Sequence, residues 1–330
     1  MTDEVRETLS SVSSESGFAF QAGLRLVGID IGGTKSKARL WADGETVAET
    51  EAPSASLFAT GIEGARAALS AVLAGLGLDP AEPADAICVG SAGLSVPGTE
   101  EFLRAELTHF ATAGRVVVVS DPMLVLPAAG FDTGVALICG TGSVAVGVGP
   151  ERTSHIGGWG YLLGDEGSGY WIVRESVRLL LQRHDQECPL GELGDQLLAA
   201  TGSADLAALR RRYYEQPHLQ RDWAGYARTV LECADPGAAD IAARGAAAVA
   251  ALASAAAVAA ELAEPELATE PLPVALAGGL IGNARYRHEV TRAVETALPG
   301  AGVHVLHDHP VAGAVRLAAH AAAQARAYRG

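Results

Sequence analysis

Short apolar runs recur along the chain and alternate with stretches of helical character. The first block starts at residue 24 and reads LRLVGIDIGGTKSKARLWADGETVAETEA, where Gly-Gly-Thr and Asp-Gly interrupt the apolar runs. An Asp-Gly pair between β-rich runs is a hairpin signal, so the block predicts three short strands in a meander. A helix near 61–76, a strand at 86–89, another helix and a strand at 115–120 follow. This alternation is typical of buried parallel strands.

The same pattern starts again near residue 133. The segment GVALICGTGSVAVGVGPERTSHIGG has two apolar runs around a Gly-Thr-Gly turn and room for a third strand. A long helical stretch is predicted over about 166–262. Its expected breaks are at Pro189, Pro217 and Pro236. Strands at 273–277 and 303–306 and a closing helix from about 310 complete the pattern.

The repetition predicts an α/β protein of two duplicated lobes. The N-terminal lobe covers 24–132, and the C-terminal lobe covers 133–330 with the helical stretch as an insertion; the closing helix is able to return to the N-terminal lobe. A ligand is expected in the cleft between the lobes. Residues 1–23 are polar, rich in Ser and Glu, and lack the apolar core of a secretory signal, so they are predicted to be a disordered leader.

Composition narrows the classes of partner. Hydrophobic residues make up 49% of the 330 positions and charged residues 19%, which is enough apolar material for two cores. The formal net charge of −15 argues against nucleic acid and anionic membranes, because no surplus of cations exists to displace counterions. The Ala-rich segment 242–262 is interrupted by Ser254 and bracketed by Arg244 and Glu261. It predicts a buried helix of a soluble, cytoplasmic protein rather than a membrane span.

The cysteines do not indicate a disulfide framework, a zinc site or an iron–sulfur cluster. Cys88, Cys139, Cys188 and Cys233 lie far apart, and none of them forms a C-x-x-C pair.

Two glycine-rich turns carry the first candidate chemistry. Asp30 ends an apolar run and is followed by Gly32, Gly33, Thr34 and Lys35. A strand-end carboxylate can anchor Mg²⁺, and the N–H groups of such a turn can bind phosphate oxygens. The alternative for this segment is a plain hairpin turn that happens to hold an Asp, with Lys35 exposed to solvent.

The second turn lies at the equivalent point of the second lobe. It consists of Gly140, Thr141, Gly142 and Ser143. Two such turns at matching positions indicate that both lobes bind the same polyphosphate. Neither turn has the spacing of a Walker A motif or of a dinucleotide-binding motif. A further pair, Gly278 and Gly279, follows a late strand, and could let the backbone approach an adenine or ribose. The alternative for this pair is a strand-to-helix turn.

Asp121 follows the buried run VVVVS and precedes Pro122. At the carboxyl end of a central strand it would point into the crevice where open α/β sheets bind ligands. There it could accept a proton from an attacking hydroxyl. The alternative is an Asp-Pro helix cap without a catalytic role.

The segment GGWGYLLGDEGSGYW, residues 157–171, is dense in glycine, aromatic and acidic residues. Carboxylates accept hydrogen bonds from vicinal hydroxyls and aromatic faces cover the apolar side of a sugar ring, so this mixture suits a sugar. The alternative makes Asp165 the cap of a helix that opens at Glu166, with Trp159 and Trp171 in the core.

With these motifs in order, the chain resembles the N-acetylglucosamine kinase branch of the BadF/BadG/BcrA/BcrD ATPase family, within the sugar kinase, Hsp70 and actin superfamily. GIDIGGTK is similar to the family's first phosphate motif, ICGTGS to its second, LAGGL to its adenosine motif and GGWGYLLGDEGS to its most distinctive signature. The resemblance covers residue 24 to the C-terminus. It implies two ribonuclease H-like lobes with an interlobe active-site cleft.

The resemblance also implies residue roles. Asp121 matches the catalytic base that deprotonates the 6-hydroxyl of the sugar, and Asp165 matches an acid that binds sugar hydroxyls. The remaining matches are Asp30 near the Mg²⁺ ion, Thr34, Thr141 and Ser143 at ATP, and Gly158, Trp159 and Gly160 in the sugar-side loop. The resemblance further implies that ATP is the co-substrate and that N-acetylglucosamine or a close relative is the acceptor. It also implies that the protein forms a homodimer.

One position departs from this family pattern. N-acetylglucosamine kinases usually carry an asparagine five residues before a glycine in the loop after the third strand, where this chain has Ser56. A serine cannot make the paired donor and acceptor bonds of an amide. Glucosamine and N-acetylmuramic acid therefore stay open as acceptors. Two further alternatives are a non-catalytic sugar or nucleotide sensor and a dehydratase-activating ATPase, which would need clustered cysteine ligands.

Overall fold

We describe the chain from a computed structural model, which describes residues 23–215, 219–262 and 271–327. The chain divides into two compact units. The first unit holds the residues up to Asp132 together with those from Leu306 onward, and the second holds Thr133–Val305. Residues 1–22 of the predicted leader and the helix break predicted at Pro217 lie outside the described residues.

The first unit is built on a five-stranded sheet with the strand order β3-β2-β1-β4-β5. Its strands are β1 (Leu26–Ile31), β2 (Lys35–Ala42), β3 (Glu45–Pro53), β4 (Ala86–Ser91) and β5 (Val116–Ser120). β1 pairs antiparallel with β2 and parallel with β4, and β4 pairs parallel with β5. The meander and the two parallel strands were both predicted by the apolar pattern.

Helices α1 (Leu57–Gly75) and α2 (Thr99–Leu107) belong to this unit. Alternate β1 residues, Val27, Ile29 and Ile31, share a buried cluster with the apolar residues of these helices. α1 is kinked at Gly61, which has φ 67° and ψ 177°. The residues after the kink match the helix predicted from about residue 61.

The last helix packs on the first sheet. Helix α3 (Val125–Ala129) follows β5, and α11 (Val311–Ala327) contacts β1, β4 and α3. A Cβ at Gly28 of β1 would lie 2.7 Å from the carbonyl oxygen of Val311, and a Cβ at Gly313 would lie 1.9 Å from that of Leu124. The two glycines therefore let backbone pack against backbone.

This packing moves a predicted boundary. The sequence pattern predicted a C-terminal lobe of residues 133–330 whose closing helix is able to return to the N-terminal lobe. The second unit ends at Val305, and α11 belongs to the first unit. The reason is the apolar face that β1 and β4 present to α11, which includes Leu26 and Gly28.

The second unit repeats the topology of the first, with the strand order β10-β9-β6-β7-β8. Its strands are β6 (Gly134–Cys139), β7 (Ser143–Val148), β8 (Thr153–Gly157), β9 (Leu272–Ala277) and β10 (Ala301–Val305). Two antiparallel pairings join β6, β7 and β8, and two parallel pairings join β6, β9 and β10. The duplication predicted from the sequence is confirmed by this shared order.

Between β8 and β9 the second unit carries a series of helices. They are α4 (Gly169–Asp185), α5 (Gly191–Thr201), α6 (Leu206–Glu215), α7 (Leu219–Ala224), α8 (Ala227–Glu232) and α9 (Pro236–Ala259), and α10 (Ala284–Ala297) follows β9. Ser168 caps α4 by accepting a hydrogen bond from the Trp171 N–H, so the alternative in which Asp165 caps a helix at Glu166 is wrong.

Within the part of the chain that the structure describes, two helices, α1 and α9, are long and apolar enough to cross a membrane, judged by length and composition alone. Half of the most apolar window of α9 is buried within the protein. Its buried residues include Ile241, Ala246 and Val249, which pack in the same apolar cluster as Val135 and Leu137 of β6. This packing is that of a core helix.

A charged pair holds the start of α9 to the end of α4. Both guanidinium NH groups of Arg183 donate to the Asp235 carboxylate, at 2.8 and 2.7 Å, and the pair is mostly buried. Asp235 also caps α9 by accepting from the Gly237 N–H at 2.8 Å. The Arg183 guanidinium lowers the pKa of Asp235 to about 2.

We expect Asp235→Asn to lower the free energy of unfolding by about 1 to 2 kcal/mol at neutral pH, because Asn keeps the cap but leaves Arg183 without its ionic partner. Folding lowers this carboxyl pKa, so its stabilising effect is complete above the unfolded value of about 4 and is lost as the pH falls towards about 2. The difference in the free energy of unfolding between the wild type and Asp235→Asn should therefore decrease as the pH falls from about 4 towards about 2. Denaturant unfolding at a series of pH values measures it.

The matched control is Asp240→Asn. Asp240 pairs with Arg244 on the exposed surface of α9, at i and i+4, and its side chain is 67% exposed. Its removal should change the free energy of unfolding by less than about 0.5 kcal/mol. Equal effects of the two substitutions would show that the Arg183 pair does not stabilise the unit.

Candidate functional site

The first glycine-rich turn lies exposed between β1 and β2. The Gly32 N–H donates to the Lys35 carbonyl at 3.0 Å, while Gly33, Thr34 and Lys35 are exposed. The Lys35 ammonium pairs with Glu51 of β3 at 3.0 Å. The turn therefore offers exposed backbone N–H groups and a hydroxyl, and its lysine is engaged with a surface carboxylate.

A serine-rich segment after β3 is hydrogen-bonded to this turn. The Ser54 hydroxyl donates to the Gly32 carbonyl at 2.6 Å, and the Ser36 hydroxyl accepts from the Ala55 N–H at 2.9 Å. The Ser56 hydroxyl donates to the Ala92 carbonyl at 3.1 Å, and Ser56 is only 2% exposed. Ser54 was not singled out in the sequence, although the small polar segment Ser-Ala-Ser is the signal that could have found it.

Asp30 and Asp121 lie at the same edge of the first sheet. Asp30 is paired in register with Gly90 of β4, and Ser91 of β4 is paired with Ser120, the residue before Asp121. Because β1, β4 and β5 are parallel, their carboxyl ends meet at this edge. Both acids are half-buried. The 3-10 helix that begins at Asp121 has Ser120 as its N-cap residue, so Asp121 lies within the helix and not at the cap position.

The environment shifts the pKa of both acids upwards. Burial raises the pKa of Asp121 to about 7, and the neighbouring Asp30 charge adds to that shift. Burial also raises the pKa of Asp30 to about 6, against the opposing effect of Lys37 and Lys35. Asp121 is therefore a carboxyl poised to gain or lose a proton near neutral pH, which is the property a general base needs.

The second glycine-rich turn connects β6 and β7. The Gly140 N–H donates to the Gly142 carbonyl at 2.9 Å, and Thr141 is exposed. Ser143, which the resemblance places at ATP, is only 2% exposed, and its hydroxyl donates to the Glu166 carbonyl at 2.8 Å.

The late glycine pair packs against this second turn. Gly278 has φ 105°, and a Cβ there would lie 2.3 Å from the Cys139 carbonyl oxygen, so only glycine fits. Gly279 is exposed and lies beside Gly140. The two predicted nucleotide-binding segments are thus adjacent.

A cavity of about 660 Å³ opens beside them in the second unit. Its lining includes Gly140, Thr141, Gly279, Gly282, Asn283, Ala224, Arg221, Arg228 and Glu232. Arg228 and Glu232 form an ion pair of 2.7 Å at its wall. The charged residues of α7 and α8 were not identified from the sequence, because their relation to the turns arises only from the packing of the helices.

The segment after β8 divides into an exposed part and a buried part. Gly158 and Trp159 are exposed, with Trp159 at 76%, and Gly160 is half-buried. Trp159 is therefore not a core residue, whereas Trp171 is buried. Exposed aromatic surface next to glycine is compatible with the sugar-side loop implied by the resemblance.

Asp165 is buried and lies against the second turn. It is 4% exposed, and a Cβ at Gly142 would lie 2.8 Å from its Oδ2. Its Oδ1 accepts from the Ser143 N–H at 3.4 Å, and its Oδ2 accepts from the Gln220 amide at 3.0 Å. Burial raises the pKa of Asp165. Gln220 of α7 is a residue that sequence reasoning missed.

The four cysteines are free. Cys88, Cys139 and Cys233 are buried and Cys188 is exposed. Within residues 23–215, 219–262 and 271–327, the structure has no group of three or more His, Cys, Asp or Glu side chains arranged to hold a metal ion by themselves.

Relatives with described functions match parts of the chain. An N-acetylmuramic acid/N-acetylglucosamine kinase of Clostridium acetobutylicum is 32% identical over 168 residues, which are 49% of this chain and 55% of that protein. An N-acetyl-D-glucosamine kinase of Dictyostelium discoideum is 29% identical over 187 residues, 52% of this chain and 59% of that protein. The chain spans little more than half the length of the curated relatives it matches.

A solved structure matches more fully. The crystal structure of a proposed N-acetylglucosamine kinase from Chromobacterium violaceum has a TM-score of 0.68 and 26% identity, and the match covers 90% of this chain and 99% of that one. The likeness supports the sugar-kinase fold of two units predicted from the sequence. The model of the BadF/BadG/BcrA/BcrD ATPase family matches residues 27–318, so the chain belongs to that family.

Proposed function

We propose that the protein is an ATP-dependent amino-sugar kinase that phosphorylates the 6-hydroxyl of N-acetylglucosamine or a close relative. The observation that carries this proposal is Asp121, a half-buried carboxyl beside a second acid and an exposed glycine turn, with its pKa raised to about 7. Both curated relatives and the Chromobacterium structure carry N-acetylglucosamine kinase in their names.

In the proposed reaction Asp121 accepts the proton of the acceptor hydroxyl. The acceptor oxygen then forms a bond to the γ-phosphorus of ATP, and the bond between that phosphorus and the β,γ-bridging oxygen breaks to release ADP. The N–H groups of Gly33 and Thr34 in the first unit, and of Thr141 in the second, are the proposed donors to phosphate oxygens. The cavity beside Gly279 has room for the nucleoside.

Asp30 is the proposed contact of Mg²⁺, through a water molecule. In kinases this ion is held by one or two carboxylates together with the phosphates of the nucleotide, so a single strand-end carboxylate fits it. Bound Mg²⁺ would neutralise charge on the transferred phosphoryl group.

Asp165 is the proposed acceptor-binding acid, with Ser56, Gly158, Trp159 and Gly160 on the acceptor side. The cytoplasmic location and the homodimer stay predictions.

The role of Asp121 is tested by Asp121→Asn. We expect kcat to fall about a thousandfold, because the amide cannot accept the hydroxyl proton, while the dissociation constant for ATP changes little. ADP release and isothermal titration calorimetry measure the two quantities. The control is Asp43→Asn in the exposed β2–β3 turn, where Asn tolerates the positive φ of 55° and activity should stay at the wild-type level. Wild-type turnover by Asp121→Asn would contradict the assignment.

The pH profile follows from the raised pKa of Asp121. The base acts as the carboxylate, so kcat/KM should fall about tenfold for each pH unit below about 6 and level off above about 8, around a midpoint near 7. Steady-state rates between pH 5 and 9 measure this decline, with acceptor and ATP both held well below their KM values so that the ligand-free protein is the form that titrates. A midpoint near 4, the value of an ordinary Asp, would contradict the buried base.

The acceptor is tested with a panel of N-acetylglucosamine, glucosamine, N-acetylmuramic acid, N-acetylmannosamine and glucose. We expect N-acetylglucosamine to give the highest kcat/KM, measured by ADP release and product mass. A higher kcat/KM for glucosamine or N-acetylmuramic acid would make that amino sugar the assigned acceptor. It would also indicate that Ser56, in place of the usual asparagine, accounts for the changed preference. No phosphorylated product from any of them, despite ATP binding, would contradict the proposed function.

A further inference from the structure

Gln220 is joined to the acid that the proposed function assigns to the acceptor. Its side-chain amide donates to Oδ2 of Asp165 at 3.0 Å, although 55 positions separate the two residues. The other carboxylate oxygen of Asp165 accepts from the Ser143 N–H at the longer distance of 3.4 Å. The Gln220 bond is thus the better formed of the two, and it restrains the direction in which the carboxylate points.

Asp165 needs such restraint. It is 4% exposed and its backbone has a φ of +59°, a left-handed conformation that a residue other than glycine adopts at an energetic cost. A mostly buried carboxylate that loses a hydrogen-bond donor regains little of that stabilisation from water. Without Gln220 the carboxylate would keep only backbone donors, among them the Ser143 N–H at the longer distance of 3.4 Å.

The same helix forms part of the cavity wall. Gln220 lies in α7, and its neighbours Arg221 and Ala224 line the cavity together with Thr141 of the second turn. A nucleotide in this cavity therefore contacts the helix that holds Asp165, and it also contacts the turn that contains the Gly142 backbone against which Asp165 packs.

We infer that Gln220 is a positioning residue that holds Asp165 for the acceptor and couples acceptor binding to occupancy of the nucleotide cavity. This inference rests on the proposed function. The coupling acts in both directions: a nucleotide that contacts α7 stabilises the bond from Gln220 to Asp165, and an acceptor bound to the carboxylate stabilises the cavity wall. Each substrate should then bind more tightly in the presence of the other.

The test compares two substitutions with one control. Gln220→Leu removes the donor, and Gln220→Glu keeps the shape but replaces the donor by an acceptor next to Asp165. The control is Gln196→Leu, because the Gln196 amide also donates to a carboxylate, that of Glu192 at 2.7 Å, but on the exposed surface of α5. Thermal unfolding of all three proteins establishes that they are folded.

We expect Gln220→Leu to raise the acceptor KM about tenfold, the loss of one hydrogen bond to a charged group, with kcat changed less than about threefold. Gln220→Glu should raise it further. The ratio of ATP affinities measured with and without acceptor should fall towards one in both variants. Gln196→Leu should leave all these values at those of the wild type. A purely structural role would instead lower the unfolding temperature and leave the ratio unchanged.

The Ser143 amide resonance supplies a readout that needs no turnover. If Gln220 keeps the Asp165 carboxylate within hydrogen-bonding distance of the Ser143 N–H, the Ser143 amide resonance should move upfield in Gln220→Leu. It should keep its position in Gln196→Leu. An unchanged resonance together with an unchanged acceptor KM overturns the inference. A wild-type protein that phosphorylates no amino sugar contradicts the proposed function instead, and the resonance then decides the inference about Gln220.

Discussion

The in-register parallel pairing of β1, β4 and β5 is the constraint on which the chemistry of the first unit depends. It brings the ends of three buried strands to one edge, so that Asp30 and Asp121 lie near each other although they are 91 positions apart in the chain. The same pairing buries both carboxyls, and burial raises the pKa of each. A shift of register by one residue would turn the Asp30 side chain to the opposite face of the sheet.

In each unit, the glycine turn is hydrogen-bonded to a segment assigned to the acceptor. In the first unit Ser54 binds the Gly32 carbonyl, two positions before Ser56. In the second unit Asp165 binds the Ser143 N–H. Each of these bonds lies within one unit and joins an acceptor-side segment to the turn that is proposed to hold phosphate. The duplication of the fold thus extends to the way in which its two turns are supported.

The local features of this molecule were predictable from sequence, and the long-range ones were not. Apolar runs and glycine turns located the strands of both sheets, because side-chain periodicity and turn chemistry act over a few neighbouring residues. The burial of Ser143 and the bond from Gln220 to Asp165 arise from packing between distant segments, for which the sequence carries no periodic signal. The sequence left open a return of the last helix to the first lobe, and the structure adds the close backbone contact at Gly28 through which that helix packs on the first sheet.

That returning helix bears on how the protein is made. The face of β1 and β4 that includes Gly28 is covered by α11, which the ribosome synthesises about 220 residues after β4. The first unit therefore cannot complete its core while its own early segment emerges, and the covering contacts are among the most distant in the chain. Closing them demands a large loss of chain entropy, which slows folding. Until α11 arrives, an apolar sheet face stays open to chaperones or to other unfolded chains.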